Sequence, residues 1–244
     1  MLKVSIITIS YNSSETILQT LESVKDQNYM NFEHIIIDGN SNDETLKICK
    51  KFNHISKIIS ENDSGVYNAF NKGLKVASGD VIGFLNSDDT FADKESLKKI
   101  VDAFDSETDA IFGNLKFYNK KNKVVRKWVS KSFSDGAFKN GWMPPHPTFY
   151  CKKKIYDKLG NYDDSYSIAG DFELMLRFIQ VNKIRTKFIN KNLIKMQSGG
   201  ISNSGLLSKI KILIEEFKAF DTNNIRINKF FYVFNKVKKI KEFL

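Results

Sequence analysis

Two adjacent carboxylates, Asp88 and Asp89, stand directly behind an apolar run in the segment Gly79-Asp80-Val81-Ile82-Gly83-Phe84-Leu85-Asn86-Ser87-Asp88-Asp89. Hard oxygen donors placed side by side suit Mg²⁺ or Mn²⁺, which proteins hold through one or two carboxylates together with substrate phosphates. The same pair also suits a polar turn after a strand, with either acid capping the helix that follows. The carboxyl end of a strand in an open α/β sheet is where such folds bind ligands, and the rest of the chain decides between the two readings.

The elements that would position the pair follow from the hydrophobic pattern. Val4 to Ile9 is a β-branched run and reads as a first buried strand. Ser13-Ser14-Glu15 opens a helix with Ile17, Leu18, Leu21 and Val24 on one face. His34–Ile37 predicts a second strand, ending in Asp38-Gly39, and a helix follows from about Asp43 with Leu46, Ile48 and Phe52 inward. Lys57–Ser60 is a short third strand, Val66–Val76 a helix, and Asp80–Leu85 the fourth strand, followed by a helix over Leu97–Phe104. Strands alternating with helices in this way point to βαβ units and a mainly parallel sheet. Right-handed crossovers then gather Thr8-Ile9-Ser10, Asp38-Gly39-Asn40 and Asn86-Ser87-Asp88-Asp89 on one side of that sheet. The result is a polar, acid-bearing crevice with room for a nucleotide.

The second half is less regular. Ala110–Tyr118 and Val124–Val129 pair around Lys120-Lys121-Asn122, and all three prolines fall in Met143-Pro144-Pro145-His146-Pro147, before Thr148–Cys151. A helix begins at Gly170-Asp171 and runs to about Val181, and Gly199-Gly200 marks a loop.

The 244 residues fit one large α/β domain with a terminal appendage, and a 41% hydrophobic fraction is enough for a sizeable core. Cys49 and Cys151 are far apart, without metal-ligand spacing, in keeping with a reducing compartment. No signal peptide precedes the first strand, and no run approaches the roughly 18 apolar residues of a spanning helix. The expected location is therefore cytoplasmic. A net charge of +10 favours an anionic partner, and the excess is concentrated late: Arg226, Lys229, Lys236, Lys238, Lys239 and Lys241 against Glu242 alone from Thr222 onward.

Five motifs occur in order: Val4-Ser5-Ile6-Ile7-Thr8-Ile9-Ser10-Tyr11-Asn12, Ile37-Asp38-Gly39-Asn40-Ser41-Asn42-Asp43, Asn62-Asp63-Ser64-Gly65-Val66-Tyr67-Asn68-Ala69-Phe70-Asn71-Lys72-Gly73, Phe84-Leu85-Asn86-Ser87-Asp88-Asp89, and Ala169-Gly170-Asp171-Phe172-Glu173-Leu174. Each is degenerate alone. Together, over roughly residues 2 to 200, they resemble the family 2 glycosyltransferases, inverting enzymes of the GT-A fold. The likeness is greatest to bacterial members that build O-antigen, lipopolysaccharide and exopolysaccharide units.

The resemblance implies a Rossmann-like, mostly parallel α/β sheet flanked by helices, with a C-terminal helical extension. Residues 1–105 would form the nucleotide-sugar-binding half of the catalytic domain, 106–200 its acceptor-binding half, and 201–244 the basic amphipathic helices. It implies a UDP-sugar donor, with Thr8, Ser10, Tyr11 and Asn12 bordering the nucleoside and Asp38 accepting from the uracil imide N–H. Asp63, Asn68, Asn71 and Lys72 would lie near ribose and diphosphate, Lys72 either touching phosphate or ordering the strand end beside it. Asp88, with Asp89 in reserve, would ligate Mn²⁺ or Mg²⁺ that offsets charge on the departing diphosphate. Asn86 stands where the family usually has the first acid of Asp-x-Asp, and with Ser87 would face the donor. Asp171 would be the general base that takes the proton of the acceptor hydroxyl, or an acid that favours its helix N-terminus. Trp142, His146 and Glu173 are candidate acceptor contacts, Trp142 equally a core residue.

In the tail, Leu206, Ile210, Leu213, Phe217 and Phe220 keep helical spacing, as do Phe230, Phe234, Val237 and Leu244 among lysines. Basic amphipathic helices read as membrane-surface elements or as helices packed on the domain. The expectation is packing for the first. For the second it is contact with the anionic inner face of the cell membrane, where a lipid-linked acceptor would be met. Other classes fit worse. No Gly-x-Gly-x-x-Gly follows the first strand, no phosphate-loop Gly-Lys-Ser/Thr is present, and the glycine-rich basic first loop of sugar-phosphate nucleotidyltransferases is missing. A nucleic-acid-binding module conflicts with Asp38, Asp63, Asp88 and Asp89 at the strand ends, so no nucleic-acid partner is expected.

Overall fold

The computed structural model describes residues 1–119, 121–199 and 205–241. Four parallel strands form its first half: β1 (Val4–Ser10), β2 (Phe32–Asp38), β3 (Ile55–Ser60) and β4 (Val81–Phe84). Along β1 and β2 side chains alternate between two helical layers, as a parallel sheet covered on both faces requires. Ile7, Ile35 and Ile37 pack toward α3 (Val66–Val76), where Tyr67, Phe70 and Leu74 are buried. Val4 and Ile6 pack with Val24 of α1 (Ile17–Lys25) and with Leu97 and Ile100 of α4 (Ser96–Asp102). Ile36 meets Ile17, Leu21 and Cys49 of α2 (Thr45–Cys49). Each large side chain so buried contributes about 1.5–3 kcal/mol.

Beyond β4 the sheet becomes mixed. A strand β5 (Thr90–Phe91) follows the acid pair, and β6 (Ala110–Tyr118) pairs with β7 (Val124–Trp128) as expected. The short β8 (Tyr150–Lys152) inserts antiparallel between β4 and β6, and the long β9 (Thr186–Gln197) runs parallel to β6. The order among described residues is β3-β2-β1-β4-β8-β6-β9-β5, with β7 attached to β6. After α5 (Lys153–Leu159) comes α6 (Gly170–Met175), which widens into a π-helical stretch over Leu176–Val181. Two tail helices complete the chain, α7 (Leu206–Thr222) and α8 (Lys229–Lys241).

Two of these elements depart from the pattern reading for local reasons. The first helix begins at Ile17, because the Ser13 and Ser14 backbone N–H groups donate to Thr45 (2.8 Å) and Asp43 (3.0 Å) of the neighbouring loop. The second helix turns Thr45 and Cys49 inward, while Leu46, Ile48 and Phe52 are only half-buried. No described helix is long and apolar enough to cross a membrane.

Candidate active site

Sheet register brings the three polar strand ends together. Ser10 lies opposite Asp38, Ile7 opposite Phe84, and the Leu85 N–H donates to the Ile7 carbonyl at 3.0 Å. The Ser87 hydroxyl reaches across to Ser13 at 2.9 Å. One rim of the crevice is open. The Tyr11 ring is 66% exposed. Beside it, Gly39 lacks the Cβ that would sit 2.7 Å from Asp63 Oδ2 and 3.3 Å from Tyr11 Cδ2. A flat ring and a carboxylate thus close in over Gly39, where no larger residue would fit. Asp63 Oδ1 accepts from the Gly65 N–H at 3.0 Å, setting the turn into α3. Asn12, with φ of +47°, ties the rim together: its N–H donates to Ser41 at 2.8 Å and its Oδ1 accepts from the Asn42 N–H at 3.0 Å.

The floor is acidic and underbonded. Asp89 is fully buried on the turn after β4, and neither of its carboxylate oxygens has a hydrogen-bond partner; the same is true of the buried Asn86 Oδ1. Burial pushes the Asp89 carboxyl well up, and the charge of Asp88 pushes it further. Asp88 is half-buried and raised by the same desolvation. Unpartnered carboxylate oxygens in the interior carry a heavy desolvation cost, which a cation would offset. Nowhere among the described residues do three His, Cys, Asp or Glu side chains gather to hold a metal. The protein therefore offers two carboxylates and an amide oxygen, a donor set that fits Mg²⁺ or Mn²⁺ completed by phosphate oxygens.

Asp171 approaches from the far side on the first turn of α6, half-buried. The Phe172 N–H donates to its Oδ1 at 2.8 Å and the Tyr67 hydroxyl lies 3.4 Å from the same atom. Tyr67 stacks on Tyr162 (5.6 Å, 18°), and the Tyr162 hydroxyl is 2.8 Å from His146 Nε2. His146 stacks in turn on Phe84, two residues before Asn86. An aromatic block thus joins the base candidate to the acid pair. Burial pushes both tyrosines up, the Asp171 charge adding to it, while burial lowers His146 against the pull of Asp171.

The profile of glycosyl transferase family 2 matches residues 5–170. The chain belongs to glycosyltransferase family 2. An uncharacterized glycosyltransferase of Mycobacterium tuberculosis is 30% identical over 194 residues, covering 71% of this chain and 68% of its own. The UDP-Glc:alpha-D-GlcNAc-diphosphoundecaprenol beta-1,3-glucosyltransferase of Escherichia coli is 28% identical over 242 residues, covering 95% and 93%. Among solved structures, S. aureus TarS in complex with UDP-GlcNAc superposes with a TM-score of 0.69 at 20% identity, over 93% of this chain and 68% of that one. A Pyrobaculum calidifontis mannosyltransferase in complex with GDP-Man and Mn²⁺ gives 0.67 at 15% identity, over 91% and 64%. These two likenesses bear out the expected GT-A architecture.

In this glycosyltransferase several residues expected to meet substrate are occupied inside the protein. Thr8 is fully buried and its hydroxyl sits 2.9 Å from His34 Nε2. Ser10 donates to Asp38 at 3.1 Å. Asp38 is itself fully buried and accepts from Ser10, from Ser41 twice (2.5 and 2.9 Å) and from Ser60 (2.8 Å). These bonds clamp the ends of β1, β2 and β3. Lys72 orders the strand end, pairing with Glu61 at 2.9 Å and donating to the Asn62 carbonyl at 2.6 Å.

Other expected contacts are also taken up by the protein itself. Asn71 grips the Tyr162 backbone through both amide atoms, 2.9 and 3.0 Å, and Asn68 lies 3.4 Å from Asp164. Trp142 is core, packed on Phe112, Phe133 and Phe138, with no face free for a sugar. Glu173 is buried in a two-pronged pair with Arg177 (2.9 and 3.0 Å) and accepts from Asn223, which directly follows α7. His146 is buried, its Nε2 held at 2.8 Å by the Tyr162 hydroxyl. Tyr67 and Tyr162 were not singled out by sequence. Tyr67 adjoins Asn68 inside a quoted motif, a signal available in hindsight, whereas nothing around Tyr162 marks it.

Proposed function

We propose that this enzyme moves a hexosyl or N-acetylhexosaminyl group from a UDP-sugar to a hydroxyl of a lipid-linked glycan, with inversion, during assembly of a bacterial surface polysaccharide. The observation that carries the reading is the set of buried, partnerless oxygens of Asn86 and Asp89 beside Asp88, on the same edge of the sheet as the exposed Tyr11 ring. In this reading the Tyr11 ring stacks on the uracil. Asp63, whose Oδ2 lies against Gly39 beside the Tyr11 ring, takes the imide N–H in place of Asp38, whose oxygens are bonded inside the protein. Asn12 and Ser87 border the ribose and diphosphate, with Asn68, Asn71 and Lys72 shaping the wall behind. Asp88, Asp89 and the Asn86 amide would hold Mn²⁺ or Mg²⁺, which as a Lewis acid supplies countercharge to the diphosphate. Asp171 takes the proton from the acceptor hydroxyl as that oxygen bonds to the anomeric carbon and the bond to UDP breaks.

The acceptor class is supported by the E. coli relative, which aligns over nearly its whole length and by its name acts on a diphosphoundecaprenol-linked sugar. The exposed face of α8 supports residence on the anionic inner face of the membrane, where such an acceptor would be reached from the cytoplasm. Thermal shift with UDP and Mn²⁺ tests the donor site. Saturation at about 100 Kd adds about 2.7 kcal/mol, and for a chain of this size each kcal/mol moves Tm by about 2–4 °C. A rise of roughly 5–10 °C is expected, with the Mn²⁺-dependent part absent in Asp88→Ala. Stabilisation by single-stranded DNA and none by UDP would overturn the assignment.

A further inference from the structure

The tail helix α7 reaches into the catalytic side of the molecule. Its Glu215 carboxylate accepts from three successive backbone N–H groups, those of Ser167 (3.1 and 3.2 Å), Ile168 (2.9 Å) and Ala169 (2.8 Å), and from the Ser167 hydroxyl (2.5 Å). Burial pushes the Glu215 carboxyl up, but these donors outweigh it and hold it below the usual range, as expected of an ionised group that gathers donors. One helical turn further along, Lys218 lies 2.8 Å from the Ser165 hydroxyl and 4.1 Å above the Tyr166 ring. Two side chains of one α7 face therefore grip residues 165–169, the strap that ends at the first turn of α6 and delivers Asp171. Without Glu215 the N–H of the buried Ala169 would lose this acceptor.

We propose that Glu215 is the positioning residue of the base: it fixes the 167–169 backbone and through it the reach of the Asp171 carboxylate. The catalytic machinery then extends into α7, beyond the profile match that stops at residue 170. This rests on Asp171 being the base. Misplacing a catalytic group by about 1 Å costs on the order of 100-fold, whereas donor binding at Tyr11, Asp63 and Asp88 lies at other elements. The effect belongs in kcat and not in the donor KM.

The test measures transfer from UDP-glucose to a GlcNAc-diphosphoryl lipid, with UDP release to water in parallel and UDP binding by calorimetry. Glu215→Ala is expected to lower kcat by roughly 10- to 100-fold, with donor KM and UDP binding unchanged. Glu215→Gln, which keeps an acceptor oxygen, should lose only severalfold. In an Asp171→Asn background Glu215→Ala should add no further loss, because its effect passes through the missing carboxylate. Wild-type kcat in Glu215→Ala, or a loss that adds in full to that of Asp171→Asn, overturns the proposal. If Glu215→Ala does not fold, an unaltered kcat in Glu215→Gln does so instead. Full transfer by Asp171→Asn would remove the base assignment itself; an inactive Asp171→Asn beside an unaffected Glu215→Ala removes only the role of Glu215.

Discussion

His34 shows at the scale of one residue what burial does to a titratable group. It is fully buried in β2, its Nε2 2.9 Å from the Thr8 hydroxyl and its Nδ1 3.1 Å from His54 Nε2. Burial, with the neighbouring His54 adding to it, lowers its pKa to about 3. In the unfolded chain the same imidazole titrates near 6.5, so between these values the unfolded state binds the extra proton and stability falls with falling pH. From pH 7.5 to 5 this amounts to about 2 kcal/mol. Urea unfolding of wild type and His34→Gln at the two pH values checks it: the variant should show a flatter dependence, and equal slopes would remove His34 as the cause. Such roles are invisible in a linear sequence. Asp88 and Asp89 could be read as ligands because strand and acids are adjacent in the chain. Thr8, Asp38, Glu173 and Trp142 could not be placed, since the groups that occupy them (His34, Ser60, Asn223, Phe112) come from distant segments brought in by the fold.

At the scale of elements, β4 is the strand on which the site depends, and its tolerance is set by one glycine. A Cβ at Gly83 would stand 2.0 Å from Tyr150 Cε1 and 2.4 Å from its Cζ, and Tyr150 is a fully buried ring on β8. Neither partner can step aside in a filled core, so Gly83→Ala should cost at or above the upper end of the roughly 1–3 kcal/mol of overpacking. A lowered urea midpoint with unchanged slope is the expected outcome, and trimming the ring in Gly83→Ala/Tyr150→Leu should recover part of it. Because Leu85 and the acid pair continue directly from β4, the variant should also lose part of its Mn²⁺-dependent UDP stabilisation. The first-half strands and α3 were legible because β-branched runs and apolar spacing are local signals. The hairpin of β6 and β7 was legible for the same reason. β9 was not: in Thr186–Gln197 apolar residues mix with Lys187, Asn190, Lys191 and Lys195, and its strand state is set by long-range pairing with β6. The antiparallel insertion of β8 is likewise a tertiary event, and with the β6–β7 and β5–β9 pairs it adds antiparallel strands to the mainly parallel sheet.

At the scale of the whole molecule the question is what the tail presents to its surroundings. Helix α7 turns Leu213, Phe217 and Phe220 toward the core, as its spacing predicts, while Ile210 stays exposed. Helix α8 divides its surface. Tyr232 is fully buried against Phe217 and Phe220, and Lys236 pairs with the buried Glu216 at 2.5 and 2.6 Å. The other side leaves Phe230, Phe231, Phe234 and Val237 exposed by 83, 52, 56 and 51%, with Lys238 exposed among them. A monomer that meets only water has no reason to keep three phenylalanines in the open on one helix. A bilayer surface rewards them: each buried ring contributes about 1.5–3 kcal/mol and each nearby lysine about 1 kcal/mol against anionic lipid. Truncating the helix is a poor probe, because it would uncover Phe220 and strand Glu216 without its partner. Phe230→Ser/Phe234→Ser touches only the outer face and should leave the fold and UDP binding unchanged. Its partition onto phosphatidylglycerol-containing vesicles should fall by about tenfold or more, since about 1.4 kcal/mol corresponds to each factor of ten. High salt should weaken the wild type further. Co-sedimentation equal to wild type in the double variant would mean that this face serves something other than a membrane.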